Sequence, residues 1–247
     1  MCILIVLRGG HADHPLVVAG NRDERTDRRS APPGLWVGSR RRVLSPRDRA
    51  AGGTWLAVDD RLAFAGITNL AGVPPVPGAP SRGHLVHAVL DHGDLDSGIA
   101  DVLARVRAES YAGFQLVVGD ARRLVVVRHA HGHATVTEWL EPTLVVTNEH
   151  EPGGLVPRGL AAAAAPGIDL ERRLGALAAI LRDHGGNGQH AICKHGAAYA
   201  TVSSSLLAVP AHDPAQLVWR YAPGPPDVAT YRSYGNLGRR LLPDARD

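Results

Sequence analysis

The chain has 247 residues, and a hydrophobic content of 45% supports a sizeable core in one large domain or two small ones. Its formal net charge of +3 is too small to indicate a nucleic-acid partner, and its two cysteines are too few for a disulfide scaffold. No apolar stretch approaches the ~20 residues of a membrane span, and the N-terminal apolar run is too short for a signal peptide. We therefore expect a soluble cytoplasmic protein with reduced thiols and no membrane span.

The first elements to be expected are two strands. Residues 2–7 form a continuous aliphatic run, which predicts a strand buried on both faces. Residues 16–19 predict the return strand of an antiparallel hairpin, which would bring residues 20–24 back toward Cys2. Residues 25–53 are rich in Arg, Pro, Gly and Ser, and they predict a long irregular loop.

The later elements mix strands with a few helices. Residues 54–58 and 62–69 predict a hairpin that ends at Asn69. Helices are predicted after the N-cap residue Ser81, from about Ser97, and after the N-cap residue Asp169. Further strand-like runs lie at residues 114–118, 124–127, 134–139, 144–147, 191–193, 199–209, 215–221 and 228–231. Many antiparallel strands with about three helices indicate an α+β fold.

The residue with the most distinctive chemistry is Cys2. A small residue at this position permits removal of Met1, which would leave Cys2 with a thiol and a free α-amine on one carbon. These groups titrate near pKa ~8.5 and ~8, so a nucleophile and a base of matched pKa would lie in one residue. The alternative interpretation is that Cys2 is only a small apolar residue at the start of a strand.

Five short stretches occur in a characteristic order. They are Met1-Cys2, Asn-Arg-Asp-Glu at residues 21–24, Gly-Gly-Thr-Trp-Leu at 52–56, Thr-Asn at 68–69, and Tyr-Ala-Thr-Val-Ser-Ser at 199–204. In this order the chain resembles the NRDE family, also called the transport and Golgi organisation family, over essentially its whole length. That family is similar to the N-terminal nucleophile (Ntn) hydrolases, near the penicillin V acylases and bile salt hydrolases.

The resemblance implies a fold and a set of catalytic residues. The fold would be a single domain over residues 1–247, an α+β four-layer αββα sandwich of the Ntn-hydrolase type. Cys2 would be the nucleophile on the first strand, with Arg22 and Asp23 beside it on the second. Asn69 and Asn148 match the asparagines that such enzymes place around the oxyanion.

Each of these residues has an expected chemical role. Arg22 would favour the thiolate of Cys2, and Asp23 would orient its α-amine. The residues expected to bind substrate are Asn21, Trp55, Thr68, Ser203 and Ser204. Structural alternatives remain open, because Arg22 and Asp23 could form an ion pair and an isolated asparagine is often a turn former.

One position departs from the family pattern. Family members carry Gly-Thr-Arg-Ser-Ser near the C-terminal strands, whereas Val202 stands at the arginine position here. An isopropyl group cannot replace a guanidinium in charge stabilisation. Either Arg22 does this work alone, another arginine reaches the site, or the activity differs from that of the acylases.

Two functions follow from these expectations. The first is a cysteine-dependent amidohydrolase or acyltransferase that cleaves or transfers the acyl group of a small acylated molecule. The alternative is a non-catalytic protein that binds or carries a lipid-like or haem-like ligand on the same fold. Hydrolysis and transfer are both open, as is the oligomeric state, since stacked sheets with arginine-rich loops could pair as a homodimer.

The sequence gives only weak signals for metal ions. His129, His131 and His133 alternate along a predicted strand, and Cys193 lies near His190 and His195. Neither group has a fourth ligand at a familiar spacing. We therefore expect no metal, and no cofactor, since no glycine-rich phosphate loop is present.

Overall fold

The computed structural model of the chain describes residues 2–73, 76–186 and 191–242. These residues divide into two compact units. The first unit holds the described residues up to Arg28 and from Glu141 to Asn236. The second holds those from Arg29 to Leu140 and those after Asn236. Each unit contains one antiparallel sheet, so the α+β class predicted from the sequence is confirmed.

The described residues form thirteen strands and four α-helices. The strands are β1 (Ile3–Arg8), β2 (Leu16–Arg25), β3 (Ser30–Val37), β4 (Arg42–Asp48), β5 (Leu56–Asp59), β6 (Phe64–Asn69), β7 (Phe114–Gly119), β8 (Leu124–Ala130), β9 (His133–Glu138), β10 (Thr143–Thr147), β11 (Tyr199–Val209), β12 (Val218–Ala222) and β13 (Arg232–Ser233). The helices are α1 (Gly83–Leu90), α2 (Leu95–Ala108), α3 (Leu160–Ala164) and α4 (Leu170–Leu181). No described helix combines the length and the apolar composition needed to cross a membrane.

The sheet of the first unit has the strand order β10-β1-β2-β11-β12-β13. Strand β1 pairs with β2 on one side and with β10 on the other, and residues 3–7 are all buried, as predicted for a strand covered on both faces. Alternate residues of β1, namely Ile3, Ile5 and Leu7, share a hydrophobic cluster with α3 and α4. Helix α4 begins as predicted, because the Asp169 carboxylate accepts a hydrogen bond from the Arg172 amide.

The sheet of the second unit runs in sequence order from β3 to β9. Helices α1 and α2 pack together, and α1 contacts β4, β5 and β6. The apolar face predicted for α1 is confirmed, since its four apolar members are buried: Leu85, Val86, Val89 and Leu90. Ser81 is not the N-cap residue as predicted. That position is held by Arg82, and no side chain there bonds to the first turn.

The predicted loop over residues 25–53 is wrong, since it holds β3 and β4. Three prolines obscure these strands in the sequence, and all lie at one irregularity in the pairing. Ala31 pairs with Arg47 and Gly34 with Ser45, which leaves Pro32 and Pro33 opposite Pro46. Because β3 is an edge strand and the prolines lie at the bulge in its pairing with β4, their missing N–H groups remove few backbone hydrogen bonds from the sheet.

Two short strand predictions are also wrong, at residues 191–193 and 228–231. The amides of Ile192 and Cys193 both donate to the Asp183 carbonyl just after α4, so they cap the helix end and join no sheet. The amides of Val228 and Ala229 both donate to the Pro225 carbonyl in a turn. A run of three or four apolar residues has too little periodicity to distinguish a strand from these conformations.

His87 on α1 is held in its neutral form. Its ring stacks on Trp36 with a centroid separation of 4.5 Å, and its Nε2 lies 3.0 Å from the Ser45 hydroxyl. Burial, with smaller contributions from the neighbouring side chains of His84 and Arg47, lowers the pKa of His87 from 6.5 to about 4. The native state therefore resists protonation of this ring over a pH range in which the unfolded chain accepts a proton.

We predict a loss of stability on acidification that depends on His87. The native pKa lies below the unfolded value, so the unfolded state binds more protons between pH 6.5 and 4, and stability falls as pH falls through this range. The contribution of His87 reaches about 3 kcal/mol at the acid end. Denaturant unfolding at several pH values should show a shallower dependence for His87→Phe, which keeps the stack on Trp36. Parallel curves for wild type and variant would contradict the prediction.

Candidate active site

Strand register places Cys2 between two of its predicted partners. In the first unit, Ile3 pairs with Asn21 of β2 on one side and with Thr147 of β10 on the other. The next residue outward on each strand is Arg22 on β2 and Asn148 after β10. Neighbouring antiparallel strands hold facing residues about 5 Å apart at their Cα atoms. Three of the predicted catalytic residues, Cys2, Arg22 and Asn148, therefore meet at one end of the sheet.

The alternation of side chains along each strand decides which of these residues share a face of the sheet. Ile3 faces the cluster formed with α3 and α4, so Cys2 lies on the opposite face. Arg22 lies on the same face as Cys2, because its neighbour Asn21 pairs with Ile3. Ser203 of β11 pairs with Arg22 and shares that face. The Ser203 hydroxyl is buried without a hydrogen-bond partner in the described structure, and its part in binding substrate stays a prediction.

The sulfur of Cys2 is held by the backbone of Asp23. The thiol donates to the Asp23 carbonyl at 3.3 Å, and the Asp23 amide donates to Sγ at 3.4 Å. Burial raises the pKa of the Cys2 thiol to about 11, and the Asp23 carboxylate adds to the rise. Arg22 lowers this pKa, as predicted, but its effect is smaller. Burial therefore outweighs the effect of Arg22 in the chain with Met1 in place.

Asp23 is buried and bound to β11. Its Oδ1 accepts a hydrogen bond of 2.7 Å from the Thr201 hydroxyl, and its carbonyl accepts one of 2.9 Å from the Tyr199 hydroxyl. The Thr201 oxygen accepts in turn from the Lys194 amide at 2.9 Å. Burial raises the pKa of Asp23, and the hydrogen bond from Thr201 opposes the rise. Tyr199 and Thr201 lie in one of the motif stretches, but the motif does not predict their contacts with Asp23, because only the pairing of β11 with β2 brings them together.

Arg22 is paired within its own strand. Its Nη2 lies 3.8 Å from Glu24 Oε2, and Glu24 also lies 3.4 Å from Arg28 Nη1. The side chains of Arg22 and Glu24 are both largely buried, at 7% and 17% exposure. The ion pair that holds Arg22 thus involves Glu24, and Arg25 pairs separately with Asp27.

Val202 lies at a break in the ladder. Thr201 pairs with Asp23 and Ser203 pairs with Arg22, so Val202 is the extra residue of a β-bulge. Bulges are frequent beside active sites, where they redirect a side chain. The position at which the family carries arginine is therefore directly beside Arg22 and Asp23, and here it is occupied by an aliphatic group.

Asn21 and Ser204 face the helices. The Asn21 amide donates to the carbonyls of Leu181 and Ile192, at 2.8 and 3.1 Å. The Ser204 hydroxyl lies 2.7 Å from the Tyr231 hydroxyl. These side chains bind the protein itself, on the face opposite Cys2. The substrate-binding role expected for Asn21 and Ser204 stays a prediction.

The remaining predicted site residues belong to the second unit. Asn69 ends β6 and is exposed, and Thr68 beside it is buried and pairs with Gln115. The Trp55 carbonyl accepts a hydrogen bond from the Ile67 amide at 2.9 Å. The parts of Asn69, Thr68 and Trp55 in a site with Cys2 stay predictions.

The alternating histidines do not form a close metal-binding group among the described residues. His129 is buried on β8 and stacks on Phe114 with a centroid separation of 5.4 Å. His131 and Gly132 both have positive φ and form the hairpin tip between β8 and β9. His129 and His133 would share a face on a single straight strand, but this turn places them on two different strands.

Sequence comparison assigns the chain to a family. The model of the Transport and Golgi organisation 2 family matches residues 1–153, more than half of the chain. The chain belongs to this family. A Bos taurus Transport and Golgi organization protein 2 homolog is 37% identical over 110 residues, which are 42% of this chain. The match spans 38% of that relative, well under half of its length.

Structural comparison identifies the fold of this family member. It is similar to a Caenorhabditis elegans N-acylethanolamine-hydrolyzing acid amidase ortholog, with a TM-score of 0.55 and 12% identity over 84% of this chain and 92% of that one. A conjugated bile acid hydrolase from Clostridium perfringens matches with a TM-score of 0.50 and 9% identity, covering 94% and 96%. Both neighbours are Ntn hydrolases, so the fold of the Ntn-hydrolase type expected from the sequence is confirmed. Identities this low establish the fold alone.

We predict that Asp23→Asn does not destabilise the protein at neutral pH. Burial raises the native pKa of Asp23 above its unfolded value, so its contribution to stability is present at low pH and is lost as pH rises through the native pKa. An amide oxygen still accepts the Thr201 hydrogen bond without carrying the buried charge. At pH 7 we expect the Tm of Asp23→Asn to equal or exceed that of wild type, with exposed Asp27→Asn as the matched control. A Tm well below both would contradict this.

The Thr201 hydroxyl is predicted to stabilise the site through two hydrogen bonds. Thr201→Val conserves the side-chain shape but leaves the Lys194 amide and the Asp23 carboxylate without this partner. We expect a loss of about 1–3 kcal/mol in the free energy of unfolding. Thr201→Ser keeps the hydroxyl and should lose less. Equal losses for the two variants in denaturant unfolding would mean that the methyl group matters and the hydroxyl does not.

Proposed function

We propose that the protein is an amidohydrolase or acyltransferase that uses Cys2 as its nucleophile and forms an acyl-thioester on it. The observation that carries this proposal is the position of the Cys2 sulfur, bonded to the Asp23 backbone and flanked in register by Arg22 and Asn148. A fold of the Ntn-hydrolase type supports it. The substrate would be a small molecule with an acyl group in amide linkage.

The first half-reaction begins once removal of Met1 frees the α-amine of Cys2. The amine accepts the thiol proton, and the sulfur forms a bond to the carbonyl carbon of the amide. The electron pair of the C=O π bond moves to oxygen, where the side-chain amide of Asn148 donates a hydrogen bond to the developing charge. One such donor typically lowers the barrier by about 3 kcal/mol.

The first half-reaction ends when the oxyanion collapses, the C–N bond breaks, and the leaving amine takes the proton from the α-ammonium of Cys2, which leaves the acyl-thioester. The second half-reaction restores the enzyme. Water or a second acceptor attacks the thioester carbonyl and gives up its proton to the α-amine. The C–S bond breaks, the acid or transferred acyl product leaves, and the sulfur regains its proton from the α-ammonium.

The electrostatics of the site support a role for the α-amine. With a thiol pKa of about 11, Cys2 is neutral at pH 7 in the chain that retains Met1. An ammonium group on Cys2 itself would favour the thiolate, because an opposite charge within a few ångströms stabilises the ionised form. It would also pair with the Asp23 carboxylate, which would hold the amine in place. Removal of Met1 would thus switch the thiol from inert to reactive.

The names of the structural neighbours indicate which substrates to test first. One neighbour hydrolyses N-acylethanolamines and the other acts on conjugated bile acids. An N-acylethanolamine joins an acyl group to a small amine. We therefore propose N-acylated small amines and amino acids as the first substrate panel.

We predict that the protein loses Met1 and that Cys2 reacts much faster than Cys193 with a thiol alkylator. Cys193 is buried, whereas Cys2 is partly exposed, so accessibility and activation favour the same residue. The measurement is intact mass before and after a short iodoacetamide pulse, with peptide mapping of the label, on protein from the natural host. Turnover on the amide panel should be present in wild type and absent in Cys2→Ala.

The contrary outcome would favour ligand binding. The aliphatic side chain of Val202 at the family's arginine position is the feature that favours such a protein. Retention of Met1, slow labelling of Cys2 and no turnover on any amide would contradict the enzyme. Binding of a lipid-like or haem-like ligand that is unchanged in Cys2→Ala would then be the better account.

A further inference from the structure

Four side chains from three segments of the first unit converge near the end of α4. They are His184 after the helix, Cys193 and His195 in the loop before β11, and Asp227 in the turn after β12. One ligand atom from each lies within 4.8 Å of all the others. No other group of three or more such side chains comes as close within the residues that the structure describes. None of the four takes part in the reaction proposed for Cys2.

The Asp227 carboxylate is at the centre of this group. Its Oδ2 lies 2.9 Å from His195 Nε2 and 3.2 Å from His184 Nε2, and its Oδ1 accepts from the Cys193 thiol at 3.3 Å. The two imidazole rings stack with a centroid separation of 5.3 Å. A tetrahedral ion with bonds of about 2.0–2.3 Å holds its ligand atoms about 3.3–3.7 Å apart. Small side-chain rotations would therefore bring all four atoms to one centre.

We propose that His184, Cys193, His195 and Asp227 form a binding site for a single Zn²⁺ ion. A thiolate with two imidazoles selects zinc over magnesium or calcium, which prefer oxygen ligands. Four protein ligands close the coordination shell, which is typical of a structural site. Binding replaces the S–H bond of Cys193 with a Zn–S bond, and the thiol proton passes to solvent.

The exposure of the ligands fits this assignment. The side chains of His184 and His195 are 53% and 47% exposed, so an ion could reach them from solvent. Cys193 is buried beneath them and would be the innermost ligand. The sequence suggested a weaker set of Cys193, His190 and His195. His190 lies outside the described residues, and the ligands that complete the group come from positions 184 and 227.

The ion would stabilise the loop that holds Asp23. Lys194 lies between two of the ligands, and its amide and carbonyl both bond to Thr201, whose hydroxyl donates to Asp23. The Ile192 carbonyl accepts from Asn21 on β2. Zinc would therefore fix the loop against both β11 and β2. This role does not depend on the proposed reaction of Cys2.

The test uses protein prepared without a histidine tag, because a tag would add its own zinc-binding imidazoles to the 13 histidines of the chain. Zinc titration should show one tight site in wild type, and cobalt substitution should give a near-ultraviolet thiolate charge-transfer band. Cys193→Ser should abolish the band and weaken zinc binding at least about tenfold, the lower range for disturbing a metal site. Cys2→Ser, the matched control, should retain both.

Two further measurements test the zinc site even if Cys193→Ser folds poorly. His184→Gln changes an exposed side chain, and it should weaken zinc binding while the cobalt band persists. Zinc should raise the Tm of wild type and of Cys2→Ser, but not that of Cys193→Ser. Absence of a tight site would overturn the proposal. A cobalt band that vanishes only in Cys2→Ser would also overturn it, because the ion would then be bound elsewhere.

Discussion

The antiparallel pairing of β2 with β11 is the constraint on which the candidate active site depends. The ladder runs over ten residue pairs, from Tyr199 opposite Arg25 to Val209 opposite Leu16. The half of the ladder that ends at Val209 and Leu16 is aliphatic and packs in the core with α3 and α4. The half that ends at Tyr199 and Arg25 carries the polar groups, since the same register brings Thr201 to Asp23 and Ser203 to Arg22. A one-residue slip would turn every one of these side chains to the wrong face.

The polar end of this ladder is built at a cost in free energy. Cys2 is partly exposed and Asp23 is buried, and loss of hydration raises the pKa values of both. Loss of hydration disfavours the ionised forms of Cys2 and Asp23, so two apolar side chains at these positions would cost less free energy. Groups with pKa values displaced by burial and by one specific partner are typical of functional sites, although structural networks also show them. The bulge at Val202 is a second local irregularity at the same place.

The histidine, cysteine and aspartate group relates to this end of the sheet through backbone hydrogen bonds. The loop of Cys193 and His195 touches α4 through Asp183, β2 through Asn21 and β11 through Thr201. Ile192 of this loop packs in the hydrophobic cluster with α3 and α4, and these hydrogen bonds hold the loop beside it. An ion at the proposed site would be a further anchor of the loop, and the one most sensitive to the metal content of the surroundings.

Local sequence patterns determined most of the elements and suggested the candidate nucleophile. The aliphatic run over β1, the amphipathic spacing in α1 and α4, and the Asp169 cap are properties of neighbouring residues, so they could be interpreted without the fold. The position of Cys2 beside Met1 and the Asn-Arg-Asp-Glu motif were likewise sufficient to suggest Cys2, Arg22 and Asp23. Only the tertiary structure decided which strands pair and in what register. That pairing explains the proline-containing edge strand β3, the contact of Thr201 with Asp23, the turn of Asn21 toward the helices, and the meeting of His184 with Asp227. Residues far apart in the chain meet only through the packing of whole elements, and no local pattern records that packing.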